Sequence, residues 1–154
     1  MPNSVKRIPD EKWKRQREGA WKAIMDADYE KAIKILAPVY GKYPQDFRVI
    51  YFYASTLADY GECMPENERK RLKKRGCDLL RGLLRRLRGR SRELSYSTRN
   101  EYYYHSAQPD KQYHLGLERV RAGDKHGYYS QGVGAAWHAY GHAKNGRRYL
   151  AEMW

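Results

Sequence analysis

His138 and His142 stand four residues apart, a spacing that puts both imidazoles on one face of a helix, where two such groups can bind zinc. The metalloprotease arrangement would need a glutamate directly after the first histidine. Ala139 stands there, and no third ligand is close in sequence. These two side chains are therefore expected to be ordinary polar or interface histidines, with no metal and no cofactor. Cys63 and Cys77 are the only cysteines and neither belongs to a CxxC pair, so they build neither a zinc site nor a disulfide framework. Reduced thiols of this kind suit a cytoplasmic protein. The stretch "GVGAAWHAYG" holds glycine and alanine suited to close helix packing and lacks the pattern of a phosphate loop. No serine or cysteine sits in a nucleophile setting, so no catalytic residue and no enzyme activity are expected.

Charge is the more prominent chemistry. The chain of 154 residues carries 31 basic and 18 acidic residues, a net charge of +13. Between Pro65 and Arg92 there are twelve basic residues against Glu66, Glu68 and Asp78. A segment this basic attracts polyanions, and Lys74, Arg81, Arg85, Arg86 and Arg88 are the candidates for RNA or DNA contact. Yet Leu72, Gly76, Leu79, Leu80, Leu83, Leu84 and Leu87 fall on one side of the same helical wheel, with Lys70, Arg71, Lys74, Arg81, Arg85 and Arg88 opposite. A disordered arm has no reason to keep its leucines in phase. Burying them contributes about 1.5–3 kcal/mol each, which predicts a packed helix with a basic outer face, fraying near Gly89.

The elements that position these groups are predicted to be helices throughout. "RVIYFYASTL" is rich in β-formers but continues through Ala54, Leu57 and Ala58 at helical steps. Asp28, Pro44, Gly61, Pro65-Glu66, Pro109-Asp110, Gly123 and Asn145-Gly146 punctuate the chain as helix ends. About eight helices follow, near 10–26, 29–42, 46–60, 65–88, 94–107, 109–122, 126–144 and 147 to the end. The apolar stripe Ala32, Ile33, Leu36, Val39 and Tyr40 marks the inner face of the second. Ala20, Ala32 and Pro44 are spaced twelve and twelve, and Ala54 and Gly61 lie 34 residues beyond Ala20 and Ala27. Ala139 and Ala151 repeat the twelve-residue step around Asn145-Gly146.

This pattern resembles the tetratricopeptide repeat (TPR) family, whose unit of 34 residues is two antiparallel helices. The match falls on Ala20 and Ala32 as the small residues, on the "DYEKAI" turn from Asp28 to Ile33, on Leu36, and on the closing Pro44. Gln16 stands where the family carries its first-helix aromatic. The resemblance is closest over 13–46, extends through 47–61 and is weak in the middle of the chain. It implies an all-α, right-handed solenoid of helix pairs forming one domain over 1–154, with units near 13–46, 47–93, 94–125 and 126–154. It also implies a protein-binding scaffold whose groove is lined by the first helix of each pair: Lys14, Arg17, Trp21 and Met25, then Arg48, Tyr51, Ser55 and Asp59. Arg17 matches the family's basic position for a peptide carboxylate, whereas Trp21 replaces an asparagine, so the expected partner is an acidic or aromatic-bearing segment rather than a bare C-terminus. The last unit is expected to be incomplete, which leaves its C-terminal helix available for self-association.

No apolar run approaches the roughly 20 residues of a membrane span, and "MPNSVKRIPDEKWKRQREG" has no apolar core of a secretory signal. Fifteen tyrosines, densest in "NEYYYHS" and "GYYSQ", are expected to fill ridges between helices. The reading that emerges is a basic, cytoplasmic TPR-like scaffold binding a protein or peptide partner. The alternative is a nucleic-acid-binding protein using the helix within 65–92.

Overall fold

The computed structural model describes residues 5–123, and the elements predicted beyond them, with His138, His142 and the Asn145-Gly146 turn, lie outside the described residues. Six helices follow in order: α1 (Asp10–Met25), α2 (Tyr29–Lys42), α3 (Phe47–Glu62), α4 (Glu66–Arg86), α5 (Arg92–His105) and α6 (Pro109–Arg121). No strand occurs among the described residues. The chain divides into two compact units, Met1–Arg86 and Leu87–Trp154.

Local chemistry fixes the starts of the helices. The Asp28 carboxylate accepts from the Lys31 N–H at 3.0 Å, Asp46 caps α3 through the Arg48 N–H at 3.0 Å, and Ser91 caps α5 through the Leu94 N–H at 3.3 Å. Pro109 opens α6, where its missing N–H costs nothing. Gly89 and Gly123 take left-handed φ values of +70° and +81° just past α4 and α6.

In the first unit, three residues join α1 to α2, and α2 returns beside α1 around Trp13, Ala20, Ala23, Ala32, Leu36 and Val39, all buried. The start of α1 consequently meets the end of α2. α3 begins beside α1: Trp13 and Phe52 meet edge to face at 6.0 Å, and Arg48 reaches Asp10 at 2.9 Å. Tyr40 of α2 stacks on Tyr53 of α3 at 4.9 Å. α3 and α4 then run antiparallel in close contact. A Cβ on Gly76 would lie 2.7 Å from the Ala54 carbonyl oxygen and 2.9 Å from the Ala58 Cβ, so only glycine permits this approach.

The leucine arc of α4 is the face that packs. Gly76, Leu80 and Leu83 are buried, Leu72, Leu79 and Leu84 are half-buried, and Leu87 beyond the helix is buried too. Gly61, expected to end α3, lies inside it and faces α4, where a Cβ would come within 3.2 Å of the Arg69 carbonyl oxygen. In the second unit α5 and α6 run antiparallel, joined by Arg99–Glu118 at 2.9 Å and Asn100–Gln112 at 3.1 Å. Three guanidinium groups surround buried Tyr96, those of Arg92, Arg99 and Arg119, at 5.4, 5.9 and 5.3 Å from its ring. None of the tyrosines among the described residues is exposed, which agrees with their expected ridge-filling role.

Candidate binding surfaces

The α1 half of the expected groove is a continuous surface stripe. Lys14, Arg17, Trp21 and Met25 follow one another at three- and four-residue steps and are all exposed. Trp21 is 55% and Met25 68% exposed, large apolar side chains left in water beside two cations.

The α3 half differs. Arg48 is committed to a clamp: its guanidinium donates to Asp46 at 3.1 Å, to Asp10 at 2.9 Å and to the Ile8 carbonyl oxygen at 2.9 Å. The Ile8 N–H donates to Asp46 at 3.0 Å, so one carboxylate and one guanidinium hold the N-terminal segment and its buried Ile8 against the start of α3. Burial alone would push the Asp46 carboxyl up. The hydrogen bonds from Arg48 and the Ile8 N–H outweigh that effect and hold it below the usual carboxylate range. Ser55 is buried, while Tyr51 and Asp59 are half-buried. Asp59 lies near enough to Tyr29 to help burial push that phenol up. Sequence spacing places these α3 residues on a first helix, but it cannot see that Arg48 is held by Asp46, two residues away.

The basic face of α4 carries more internal compensation than its composition suggests. Lys70 pairs with Glu66 at 3.5 Å, Arg71 with Glu68 at 3.4 Å and Lys73 with Glu62 at 2.6 Å. Asp78 receives Lys74 at 2.9 Å and Arg81 at 3.8 Å, and Arg75 lies 5.9 Å from the Tyr53 ring centroid. The hydrogen bond from Lys74 holds the Asp78 carboxyl below its usual range. Arg85 and Arg86 are exposed in the last turn, and Arg88, just past the helix, is exposed as well. No residue from Arg81 to Gly89 is acidic.

One concavity has no counterpart among the sites expected from sequence. The start of α1 and the end of α2 enclose a cleft of about 350 Å³ lined by Lys12, Gln16, Lys34, Ile35, Pro38, Val39, Lys42 and Tyr43. Its sequence signal is Pro38 inside α2, flanked four residues either side by Lys34 and Lys42. Burial pushes the half-buried Cys77 thiol up, away from the reactive thiolate. No helix among the described residues is long and apolar enough to cross a membrane. No protein-family model, curated protein or solved structure matches the chain.

Proposed function

We propose that this chain is a TPR-like helical-hairpin scaffold, without enzymatic activity, that binds a protein or peptide partner along α1. The observation that carries the reading is the exposed stripe of Lys14, Arg17, Trp21 and Met25. An aromatic and a thioether anchor beside cations suit a segment bearing both carboxylates and apolar or aromatic side chains. The parallel starts of α1 and α3 and the hairpins α1–α2 and α3–α4 support a repeat-like arrangement, with Tyr51 and Asp59 extending the surface onto α3. Arg48 and Ser55 then act as support beneath that surface rather than as contacts. A cytoplasmic location accords with two free thiols.

Nucleic-acid binding is the second reading, supported by the exposed Arg85 and Arg86 at the end of α4. The test separates the two. A photo-crosslinker at Met25 should capture a protein partner that survives nuclease treatment and is lost in Trp21→Ala, while Arg85→Gln with Arg86→Gln leaves capture intact. Capture abolished by nuclease would replace the first reading with the second.

A further inference from the structure

The cleft between the start of α1 and the end of α2 has a composition that selects its ligand. Its apolar lining is Ile35, the exposed Pro38, Val39 and the Tyr43 ring, and its rim is Lys12, Lys34 and Lys42, with no carboxylate among the lining residues. Lys6 adds a fourth ammonium: it and Lys42 lie 5.5 and 5.7 Å from the Tyr43 ring centroid. Lys34 pairs with Glu30 at 3.2 Å, and both of those side chains are largely exposed. An ion pair so hydrated is readily exchanged for another anion.

The cleft thus combines an apolar lining with a cationic rim. A volume of about 350 Å³ lies at the lower end of ligand pockets, enough for one large side chain and its flanking main chain.

We infer that this cleft docks an acidic peptide segment through a single apolar or aromatic side chain, with its carboxylates on the lysine rim. A phosphate ion would use only the rim. The site is separate from the α1 stripe: helical spacing sets Lys12 at one edge of the buried seam of Trp13, Ala20 and Ala23, and Arg17, Trp21 and Met25 beyond the other. It therefore stands or falls independently of the function proposed above.

The experiment titrates the full-length chain with a short peptide in which aspartates and glutamates flank one tryptophan, followed by amide NMR and fluorescence anisotropy. Shifts should centre on Ile35, Val39 and Tyr43. Affinity should fall about tenfold in Lys12→Gln/Lys34→Gln/Lys42→Gln, chiefly through slower association, and stay unchanged in Trp21→Ala. The same peptide with glutamine and asparagine for its acids, or alanine for its tryptophan, should bind more weakly. Absence of binding, shifts centred on Trp21 and Met25, or indifference to the triple lysine variant would overturn the inference. So would inorganic phosphate or anionic vesicles displacing the peptide completely at low concentration, since either would show that the rim alone recognises charge.

Discussion

At the scale of single residues, Asp46 serves three partners at once. It caps α3, fixes Arg48 and receives the Ile8 N–H, all from a buried position. Replacing it with alanine leaves the Ile8 N–H and part of the Arg48 guanidinium without their acceptor, an expected loss of about 3 kcal/mol in denaturant unfolding. The pH dependence has a defined sign. The folded carboxyl is held below its ordinary value, so its stabilisation is present above the unfolded value of about 3.9 and is lost as pH falls through the lower folded value. Asp46→Asn should flatten the acid limb of stability against pH, and an unchanged limb would show that the clamp does not persist in solution. The helix expected over 46–60 opens at Asp46. That residue's bonds to Ile8, 38 residues away, follow from tertiary packing that no local pattern encodes.

At the scale of elements, helix positions were legible because their punctuation is local. Asp28, Pro65 and Pro109 each act within one turn of their own position, and the six described helices lie within a few residues of the expected bounds, with α5 starting at Arg92 ahead of the expected 94. The repeat register was less legible. Ala27 was matched by spacing to Gly61, yet Ala27 closes a turn at φ +59° whereas Gly61 stays helical against α4. The conformational counterpart of Ala27 is Ala107, at φ +54°, between α5 and α6. In both turns the next N–H reaches back at 2.8 Å, Asp28 to the Ala23 carbonyl oxygen and Gln108 to that of Tyr103. Small residues serve close packing and left-handed turns alike, so their spacing alone does not separate the two uses. The glycines of α4 make this distinction measurable. Gly76→Ala forces a Cβ onto the Ala54 and Ala58 backbone and should destabilise by about 1–3 kcal/mol, despite alanine's higher helix propensity. Gly82 has nothing within 4 Å of its would-be Cβ, so Gly82→Ala should stabilise by about 0.5–1 kcal/mol. Thermal unfolding of the two variants should move in opposite directions, and equal shifts would deny the close approach of α3 and α4.

At the scale of the whole molecule, a net charge of +13 guarantees some attraction to polyanions, and what matters is where that attraction is available. The first half of α4 has the density of cations but also carboxylates within reach of them, so a phosphate binding there must displace Glu66, Glu68 or Asp78. Arg85 and Arg86 face no such competition along their own helix. They do sit in its last turn, where the helix dipole favours cations by a few tenths of a kcal/mol, too little to withhold them from a phosphate. Duplex DNA should therefore bind without sequence preference, with a Kd of about 10⁻⁴–10⁻⁶ M at physiological salt and a steep salt slope. Arg85→Gln with Arg86→Gln should flatten that slope by about 0.9 for each phosphate no longer neutralised, whereas Lys70→Gln with Lys74→Gln should change it less. Anisotropy titrations across a salt series measure both. If the lysine pair proved as costly as the arginine pair, the carboxylates of α4 would not be screening their neighbours, and the entire basic face rather than its C-terminal end would be the polyanion surface.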